Sequence, residues 1–350
     1  MKIALVFSSK TGMAATTGSK RAEEKHEDKD ELPVDFLAEC DSDGTIHAIH
    51  EALSEKYDVF SIESNAEVFD RLRTAKPDLV FNIAERLVGP NRESHIPVIC
   101  ELLDIPYTGS DALTLGLCLD KSRTKEILSY HRIPTPPFWI AEDISEIPAT
   151  VEFPSIVKPL YEGSSKGIRN NSVVRTKKDL KARVAEVTAI YKQPVIIEKF
   201  LSGREFTVGI LGNHPDYEVL PIVEIDYSLL PQGATPIYSY EAKWVWDTPE
   251  RPLKIFQCPA RISKDLAACI GSLVREACKI LRVNDWGRID VRLNETGDPY
   301  ILEINPLPGI LPNPEENSCL PKAARTAGYT YSSLIHRVVD EALKRYGIKK

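Results

Sequence analysis

A predicted β-hairpin near the C-terminus constrains the fold more than any other feature of the sequence. Residues 287–293 alternate polar and apolar side chains, and residues 299–305 form a second strand-like segment. The residues between them, 294–298, read Asn-Glu-Thr-Gly-Asp, a composition that forms turns. We therefore expect two adjacent antiparallel strands, each with one polar and one apolar face.

The polar face of this hairpin carries the groups expected to do chemistry. Arg288 and Asp290 share one face of the first strand, and Glu303 and Asn305 share a face of the second because they are two residues apart. Two carboxylates and an amide are hard oxygen ligands that suit magnesium, and an arginine beside them suits developing negative charge. A solvated acidic strand face is the alternative, but it does not account for the Asn-Pro and Pro-Gly steps that follow.

The first third of the chain alternates strand and helix signals. Strand-like runs at 3–7, 57–61 and 78–83 are separated by helical patterns at 46–53 and 66–76. Such alternation predicts βαβ units and a parallel, Rossmann-like sheet.

Residues 13–34 interrupt this pattern with a run of charged side chains and almost no apolar ones. One interpretation is a solvated, mobile insertion. The other is a lid or partner-binding loop, since the segment leaves the carboxyl end of a strand, where open sheets bind ligands.

The rest of the chain predicts two mixed α+β lobes. Strands are expected at 154–158, 173–175, 195–200, 205–212 and 218–225, besides the hairpin, and helices at 122–132, 263–282 and 331–346. A buried strand ends at Lys158, and a loop of glycine and serine follows at 163–167. Glycines let backbone N–H groups approach a phosphate, and the lysine supplies charge, although the spacing is not that of a Walker loop and an ordinary turn is the alternative.

Two glutamates at strand ends are further candidates. Glu198 ends one apolar run and Glu205 opens the next. Their carboxylates could accept hydrogen bonds from an adenine amino group or a ribose. The alternative is that Glu198 and Glu205 lie at the protein surface and form ion pairs at the strand ends.

Composition excludes several classes of function. The 350 residues are 43% hydrophobic and 27% charged, with a net charge of −7, which disfavours a nucleic-acid backbone as partner. Seven scattered cysteines form no C-x-x-C pair, and no apolar run reaches the length of a membrane span. We therefore expect a cytoplasmic protein without nucleic-acid or membrane partners.

The order of these motifs resembles the D-alanine–D-alanine ligase branch of the ATP-grasp enzymes. The resemblance runs from about residue 78 to the C-terminus and includes Ile-Pro-Tyr-Thr-Gly-Ser at 105–110 and Glu-Ile-Asn-Pro-Leu-Pro-Gly at 303–309. It implies a pre-ATP-grasp domain at 1–112, then a two-lobed ATP-grasp fold with a central lobe at 113–200 and a C-terminal lobe at 201–350.

The resemblance also implies residue roles. The ATP-binding residues would be Lys121, Lys158, Glu162, Gly163, Ser164, Ser165, Gly167, Glu198, Lys199, Phe200, Leu201, Glu205 and Lys243. Two magnesium ions, with manganese as the alternative, would bind Asp290, Glu303 and Asn305. Catalytic groups would be Arg288, Ser164, Gly309 and Glu39, and substrate-binding residues would be Glu39, Glu93, Trp244, Arg288, Gly309 and Ser318.

The implied reaction joins two amino acids through an acylphosphate, with release of ADP and phosphate, in a homodimeric enzyme of cell-wall peptidoglycan synthesis. Departures from the family leave the substrate open. A tryptophan, Trp244, stands where the family usually has tyrosine, the loop 82–93 lacks a histidine and carries Glu85, and Asp41 rivals Glu39 for the substrate ammonium. A different acceptor, or a non-catalytic ATP-binding regulator, remain alternatives.

Overall fold

The computed structural model describes residues 1–13, 33–248 and 252–349. The charged segment 13–34 therefore lies almost wholly outside the described residues, and its interpretation as insertion, lid or partner-binding loop stays a prediction. In the described residues the chain forms three sheets. A separate apolar core packs against each sheet, and a further apolar core is shared between the first and the last sheet.

The first sheet is parallel, as its alternating pattern predicts. Strand β1 (Lys2–Phe7) lies between β2 (Asp58–Glu63) and β3 (Leu79–Asn82), and helix α1 (Asp43–Ser54) and helix α2 (Val68–Ala75) lie between these strands in the chain. Residues 3–6 of β1 are fully buried, since both faces of the sheet are covered.

The middle sheet is antiparallel and carries the predicted phosphate loop. Its strand order is β4 (Phe138–Ala141), β7 (Val195–Lys199), β5 (Ser155–Pro159) and β6 (Val173–Val174). Helix α6 (Lys177–Tyr191) packs on one face through Leu180, Val184 and Val187.

The last sheet contains the predicted hairpin at one edge. Its strands are β8 (Glu205–Leu211), β9 (Glu218–Val219), β10 (Val223–Ile225), β11 (Phe256–Gln257), β12 (Trp286–Leu293) and β13 (Pro299–Asn305), in the order β11-β10-β8-β12-β13 with β9 paired to β8. The remaining helices are α3 (His95–Leu102), α4 (Ala112–Leu119), α5 (Lys121–Tyr130), α7 (Lys264–Leu281), α8 (Cys319–Thr326) and α9 (Tyr331–Tyr346).

Several elements differ from the sequence-based expectation. The strand predicted over 218–225 is two strands, β9 and β10, because Pro221 has no N–H to donate to the ladder. The sequence patterns do not predict helices α3, α4, α6 and α8, strands β4 and β11, or the π-helical turn at Glu241–Trp246. Of these, α6 has only a weak amphipathic pattern, so its helical conformation depends on packing against the rest of the structure.

The domain limits 1–112, 113–200 and 201–350 each enclose one sheet. However, Cys118, Leu128 and Ile133 pack in the apolar core of the last sheet rather than in that of the middle one. We therefore propose that the middle unit begins near residue 134. None of the helices in the described ranges is long and apolar enough to cross a membrane.

A buried ion pair joins the C-terminal helix to the first unit. Asp285, which is fully buried, accepts bonds from Arg345 Nη2 at 2.8 Å and Nε at 3.2 Å, and from the Gly109 backbone N–H at 2.8 Å. Arg345 also donates to the carbonyl oxygen of Tyr107 at 2.8 Å. One aspartate thus holds α9 against the loop between α3 and α4.

The substitution Asp285→Asn tests this connection, because it keeps the shape and leaves the Arg345 charge without its partner. We expect a loss of about 3 kcal/mol in the free energy of unfolding, measured by urea denaturation. The matched control is Asp216→Asn, whose exposed pair with Lys344 spans 3.5 Å and should cost less than about 1 kcal/mol. Equal losses in both variants would contradict the structural role of Asp285.

Candidate active site

The hairpin brings its four predicted reactive residues together. Asp290 pairs with Glu303 across β12 and β13, and Arg288 pairs with Asn305. Arg288 donates to both oxygens of Asp290 at 3.2 and 3.1 Å, and Asn305 Nδ2 donates to Asp290 Oδ2 at 3.3 Å. The ladder shifts register between Asp290 and Val291, and pairing then continues to Leu293 and Pro299, so an irregularity of the hairpin lies beside this polar face.

This face lines a cavity of about 570 Å³ between the three sheets. The volume lies in the range of small-molecule sites. Most of the predicted site residues line it, including Glu39, Glu93, Lys158, Lys243, Gly309 and Ser318. Lys121, Glu162 and Gly167 do not line it and instead support residues that do.

Lys121 supports the hairpin from behind. Its Nζ lies 3.1 Å from Glu303 Oε1 and also donates to the backbone oxygen of Glu162. Its side chain is 5% exposed. It therefore links the phosphate loop to the carboxylate pair, and a role in contacting phosphate would require a rearrangement of this contact.

Glu198 is not the surface strand end that the alternative interpretation predicted. Its carboxylate is fully buried and pairs with Lys158 and with Lys125 Nζ, the latter at 2.7 Å. Burial raises the pKa of this carboxyl, but the two positive charges outweigh burial and hold it at about 2. The side chain thus positions Lys158, and the adjoining residues 199–201 line the cavity.

Glu205 also lies in an ion pair, with Arg292 Nη1 at 2.7 Å. Arg292 in turn lies over the ring of Phe200, 4.7 Å from its centroid. Lys199 pairs with Glu152 at 3.2 Å. Ion pairs and the ring of Phe200 therefore lie at the end of the cavity that the resemblance assigns to adenine and ribose.

The glycine-serine loop has an unusual backbone shape, since a left-handed φ is common for glycine but uncommon for serine. Ser164 and Ser165 have φ of +49° and +62°, and Gly167 has φ of +67°. A Cβ at Gly167 would lie 2.4 Å from Pro159 Cγ, so only glycine fits there. Trp244 Nε1 donates to the Ser164 backbone oxygen at 3.2 Å, so the tryptophan contacts the loop through a carbonyl and not through the serine hydroxyl.

Glu39 ties the first unit to this loop. Its carboxylate accepts bonds from the Gly163 N–H at 2.8 Å and from Arg92 Nη2 at 2.7 Å, and it pairs with Lys166 Nζ at 3.1 Å. Lys166 also pairs with Glu162. Burial raises the pKa of the Glu39 carboxyl, but Arg92 and Lys166 outweigh burial and hold it at about 2.

Three other carboxylates line the same wall of the cavity. They belong to Asp41, Glu85 and Glu93. Burial raises the pKa of Asp41 to about 8 and that of Glu93 to about 7, and burial together with the negative charge of Glu93 raises the pKa of Glu85 well above its ordinary value. The sequence offers Asp41 as an alternative to Glu39 for binding the substrate ammonium. Unlike Glu39, Asp41 has no neighbouring positive charges that outweigh the effect of burial on its pKa.

The far side of the cavity carries Lys243, Ser318 and Gly309. Burial, together with the positive charge of Arg288, lowers the pKa of Lys243 to about 8. The Ser318 hydroxyl accepts from the Leu311 N–H at 3.2 Å and lies 3.3 Å from the Gly309 oxygen. Ser318 thus holds the segment after β13 at the start of α8.

Sequence reasoning missed Lys125, Arg92, Lys166 and Arg292. Lys125 lies one helical turn after Lys121, and Arg292 shares the polar strand face of Arg288 and Asp290, so spacing could have identified both. Arg92 and Lys166 carry no such signal, because their partner Glu39 is distant in the chain.

Comparison with known proteins agrees with this geometry. A family model described as D-ala D-ala ligase C-terminus matches residues 133–340. A D-alanine–D-alanine ligase of Pelotomaculum thermopropionicum is 31% identical over 318 residues, which is 87% of this chain and 93% of that protein. An uncharacterized protein of Sinorhizobium fredii, y4sG, is 35% identical over 268 residues, 77% of this chain and 75% of that one.

Solved structures show the same fold. A crystal structure of D-alanine–D-alanine ligase from Bacillus anthracis superimposes with a TM-score of 0.70 at 24% identity, covering 99% of both chains. A second structure of that protein, described as complexed with ATP, gives a TM-score of 0.68 at 23% identity, again over 99% of both chains. The chain belongs to the D-alanine–D-alanine ligase family and is an enzyme with the ATP-grasp fold.

Proposed function

We propose that this protein joins two amino acids by an amide bond, using ATP and passing through an acylphosphate, with D-alanine as the first substrate to test. The observation that carries the proposal is the pairing of Asp290 with Glu303, beside Arg288 and Asn305, on the wall of a cavity that also holds the glycine-serine loop, Lys158 and Lys243.

The polar groups divide between the two ends of ATP. Lys158, held by Glu198, and Lys243 supply positive charge for the phosphates, and the loop 163–165 supplies backbone N–H groups. Residues 199–201, together with Glu205 and Arg292, form the end proposed for adenine and ribose.

Magnesium fits the hairpin residues. Asp290, Glu303 and Asn305 provide two carboxylates and an amide oxygen, few enough ligands to leave positions for phosphate oxygens. When bound there, the metal would neutralise phosphate charge. Arg288 already contacts Asp290 at 3.1 Å and lies beside the same region.

The proposed chemistry has two steps. A carboxylate oxygen of the first amino acid attacks the γ-phosphorus of ATP, the bond to the β-phosphate oxygen breaks, and ADP leaves. The deprotonated amine of the second amino acid then attacks the acyl carbon. Arg288 and the backbone at Gly309 stabilise the tetrahedral oxyanion, and phosphate departs as the C–O bond breaks.

Water exclusion is the proposed task of the glycine-serine loop, because an acylphosphate hydrolyses readily. Glu39 and Arg92 attach this loop to the first unit, and Trp244 attaches it to the last sheet. We propose that Glu39 acts mainly through this attachment, since three donors already occupy its carboxylate.

Two further proposals concern the cellular location and the oligomeric state of the protein. The seven cysteines are free thiols, which suits a reducing compartment, and we propose a cytoplasmic protein. A homodimer and a role in peptidoglycan synthesis are proposed from the family.

Phosphate release from ATP and magnesium, measured across single and paired D- and L-amino acids, tests the function. We expect release with an amino-acid pair and an amide product by mass spectrometry.

Glu303→Gln should lower turnover at least about 100-fold and change ATP affinity far less, since the carboxylate acts mainly on the transferring phosphate. The exposed Glu295→Gln is the control. Normal turnover in Glu303→Gln would remove the metal assignment, and ATP binding without any release would favour a regulator.

The affinity for ATP should depend on pH through the side chain of Lys243. Its pKa of about 8 in the free protein should rise when ATP binds, so binding takes up a proton above pH 8 and weakens as pH increases. Below pH 8 the lysine is already charged and contributes little pH dependence. Calorimetry should show ATP affinity about tenfold lower at pH 9 than at pH 7. Lys243→Arg, which keeps its charge, should lose this dependence; an unchanged dependence would place Lys243 away from the phosphates.

Trp244→Tyr should change the acceptor amino acid more than the use of ATP. Tyrosine is shorter, and its hydroxyl can accept as well as donate, so the contact with the Ser164 carbonyl changes. We expect the ratio of kcat/KM between two acceptors to change by about fivefold and the KM for ATP by less than about twofold. Trp139→Tyr, in the middle sheet, controls for loss of an indole. An unaltered acceptor ratio would exclude Trp244 from the acceptor pocket.

A further inference from the structure

A buried aspartate, Asp35, holds the last residue of the glycine-serine loop. Its side chain is 1% exposed, and its Oδ2 accepts the Gly167 backbone N–H at 3.0 Å and the Tyr191 hydroxyl at 2.6 Å. Burial and the bond to Asp35 raise the pKa of the Tyr191 phenol, so this hydroxyl stays protonated and remains a donor. Among the described residues, the cavity lining includes neither Asp35 nor Gly167, so this contact acts on the loop and not on a bound ligand.

Asp35 belongs to a short part of the first unit, residues 33–41, which we call the anchoring segment. Backbone bonds within the segment, such as the one from the Ala38 N–H to the Asp35 oxygen at 3.0 Å, make it compact. The segment is also attached to the first sheet, because the Asp41 N–H donates at 3.0 Å to the oxygen of Ser8, directly after β1. The first sheet therefore determines where Asp35 lies.

The anchoring segment holds the loop at both of its ends. Glu39 accepts the Gly163 N–H at 2.8 Å, and Asp35 accepts the Gly167 N–H at 3.0 Å. The two acidic residues are four apart in the segment, and the two glycines are four apart in the loop, so the spacings match. Arg183 holds Gly167 from the other side by donating to its carbonyl oxygen at 2.6 Å. Both ends of the loop are thus fixed to parts of the protein outside it.

Fixed ends matter because the residues between them have a strained backbone. Ser164 and Ser165 have positive φ, a conformation that is uncommon for serine. Residues keep such a conformation only where the surrounding contacts determine it. Besides the two ends of the loop, these contacts are the bond from the Ser165 hydroxyl to the Tyr238 oxygen at 2.7 Å and the bond from Trp244 to the Ser164 oxygen. Releasing one end therefore allows the loop to relax into more open conformations.

We propose that Asp35 is a positioning residue that keeps the glycine-serine loop closed while the acylphosphate is present. This inference rests on the proposed function, which makes the loop the barrier to water. If the loop opens at that stage, water attacks the acyl carbon and the C–O bond to phosphate breaks. The first amino acid, inorganic phosphate and a proton are released, and ATP is consumed without forming an amide. Asp35 thus controls the coupling between ATP consumption and amide formation.

The ratio of phosphate released to amide formed measures this role, because a general loss of folded enzyme would lower both amounts together. The assay contains ATP, magnesium and D-alanine or, if D-alanine is not joined, the amino-acid pair that forms an amide in the assay described above. In Asp35→Ala, we expect the fraction of turnovers lost to hydrolysis to rise at least about tenfold, since a buried bond to a charged group no longer holds the loop closed.

Asp35→Asn is the matched control. Both bonds are accepted by one oxygen of Asp35, and an amide oxygen in the same place can accept both. Coupling in this variant should stay within about twofold of that of the unmodified protein. Tyr191→Phe removes only the second of the two bonds and should increase the hydrolysed fraction by about threefold. This variant decides the question if thermal unfolding shows that Asp35→Ala folds poorly.

Hydrogen–deuterium exchange measures the loop directly and needs no amino-acid substrate. With ADP and magnesium present, peptides that cover residues 160–168 should exchange at least about tenfold faster in Asp35→Ala than in the unmodified protein or in Asp35→Asn. Peptides from β12 and β13 should exchange at the same rate in all three proteins, which shows that the rest of the fold is intact.

The outcomes separate this inference from the proposed function. If the unmodified protein forms an amide and Asp35→Ala keeps the same ratio of phosphate to amide, the ligase function stands and the role of Asp35 is wrong. Unchanged exchange over residues 160–168 also overturns this role. If no amino acid supports phosphate release, the proposed function fails and the coupling role fails with it, even where faster exchange shows that Asp35 holds the loop.

Discussion

The site depends on a buried set of alternating charges between the first unit and the glycine-serine loop. Glu39 and Glu162 face Arg92 and Lys166, and all four side chains are at most 10% exposed. Such a set adds little net stability, since desolvation opposes attraction, but it accepts only one arrangement of its members. The loop therefore has a defined position over the cavity only when the first sheet is correctly packed.

Buried ion pairs also hold the charged side chains at the other end of the cavity. Glu198 is placed between Lys125 and Lys158, and Glu205 beside Arg292, so the charged groups facing the cavity are held by partners behind them. Asp41, Glu85 and Glu93 also face the cavity, and within the described residues no ion pair holds them. Fixed charges that need no rearrangement are the form of electrostatic preorganisation on which catalysis of this kind relies.

Sequence patterns predict the parts of this structure in which polar and apolar side chains repeat over a few residues, as they do along strands and helices. The hairpin and the convergence of Asp290 with Glu303 follow from alternation and one turn, and α9 begins and ends at the predicted residues. Long-range contacts are different: nothing local to Arg92 or Lys166 indicates Glu39 as their partner. The burial of Glu198 between Lys125 and Lys158 is likewise not visible in the sequence. Helix α6 is held by tertiary packing that its weakly amphipathic sequence does not reveal.

The π-helical turn at Glu241–Trp246 makes the side chains that face the loop sensitive to the length of this segment. A π-helical turn contains one residue more than an α-helical turn over the same height, so removing a residue would convert it to an α-helix. Each residue of an α-helix adds about 100° of rotation. A deletion of a single codon would thus turn a different side chain from Trp244 towards the loop and leave the flanking elements in place. Because Lys243 lies in the same turn, such a change in length would move a proposed phosphate-binding residue together with the side chain that faces the loop.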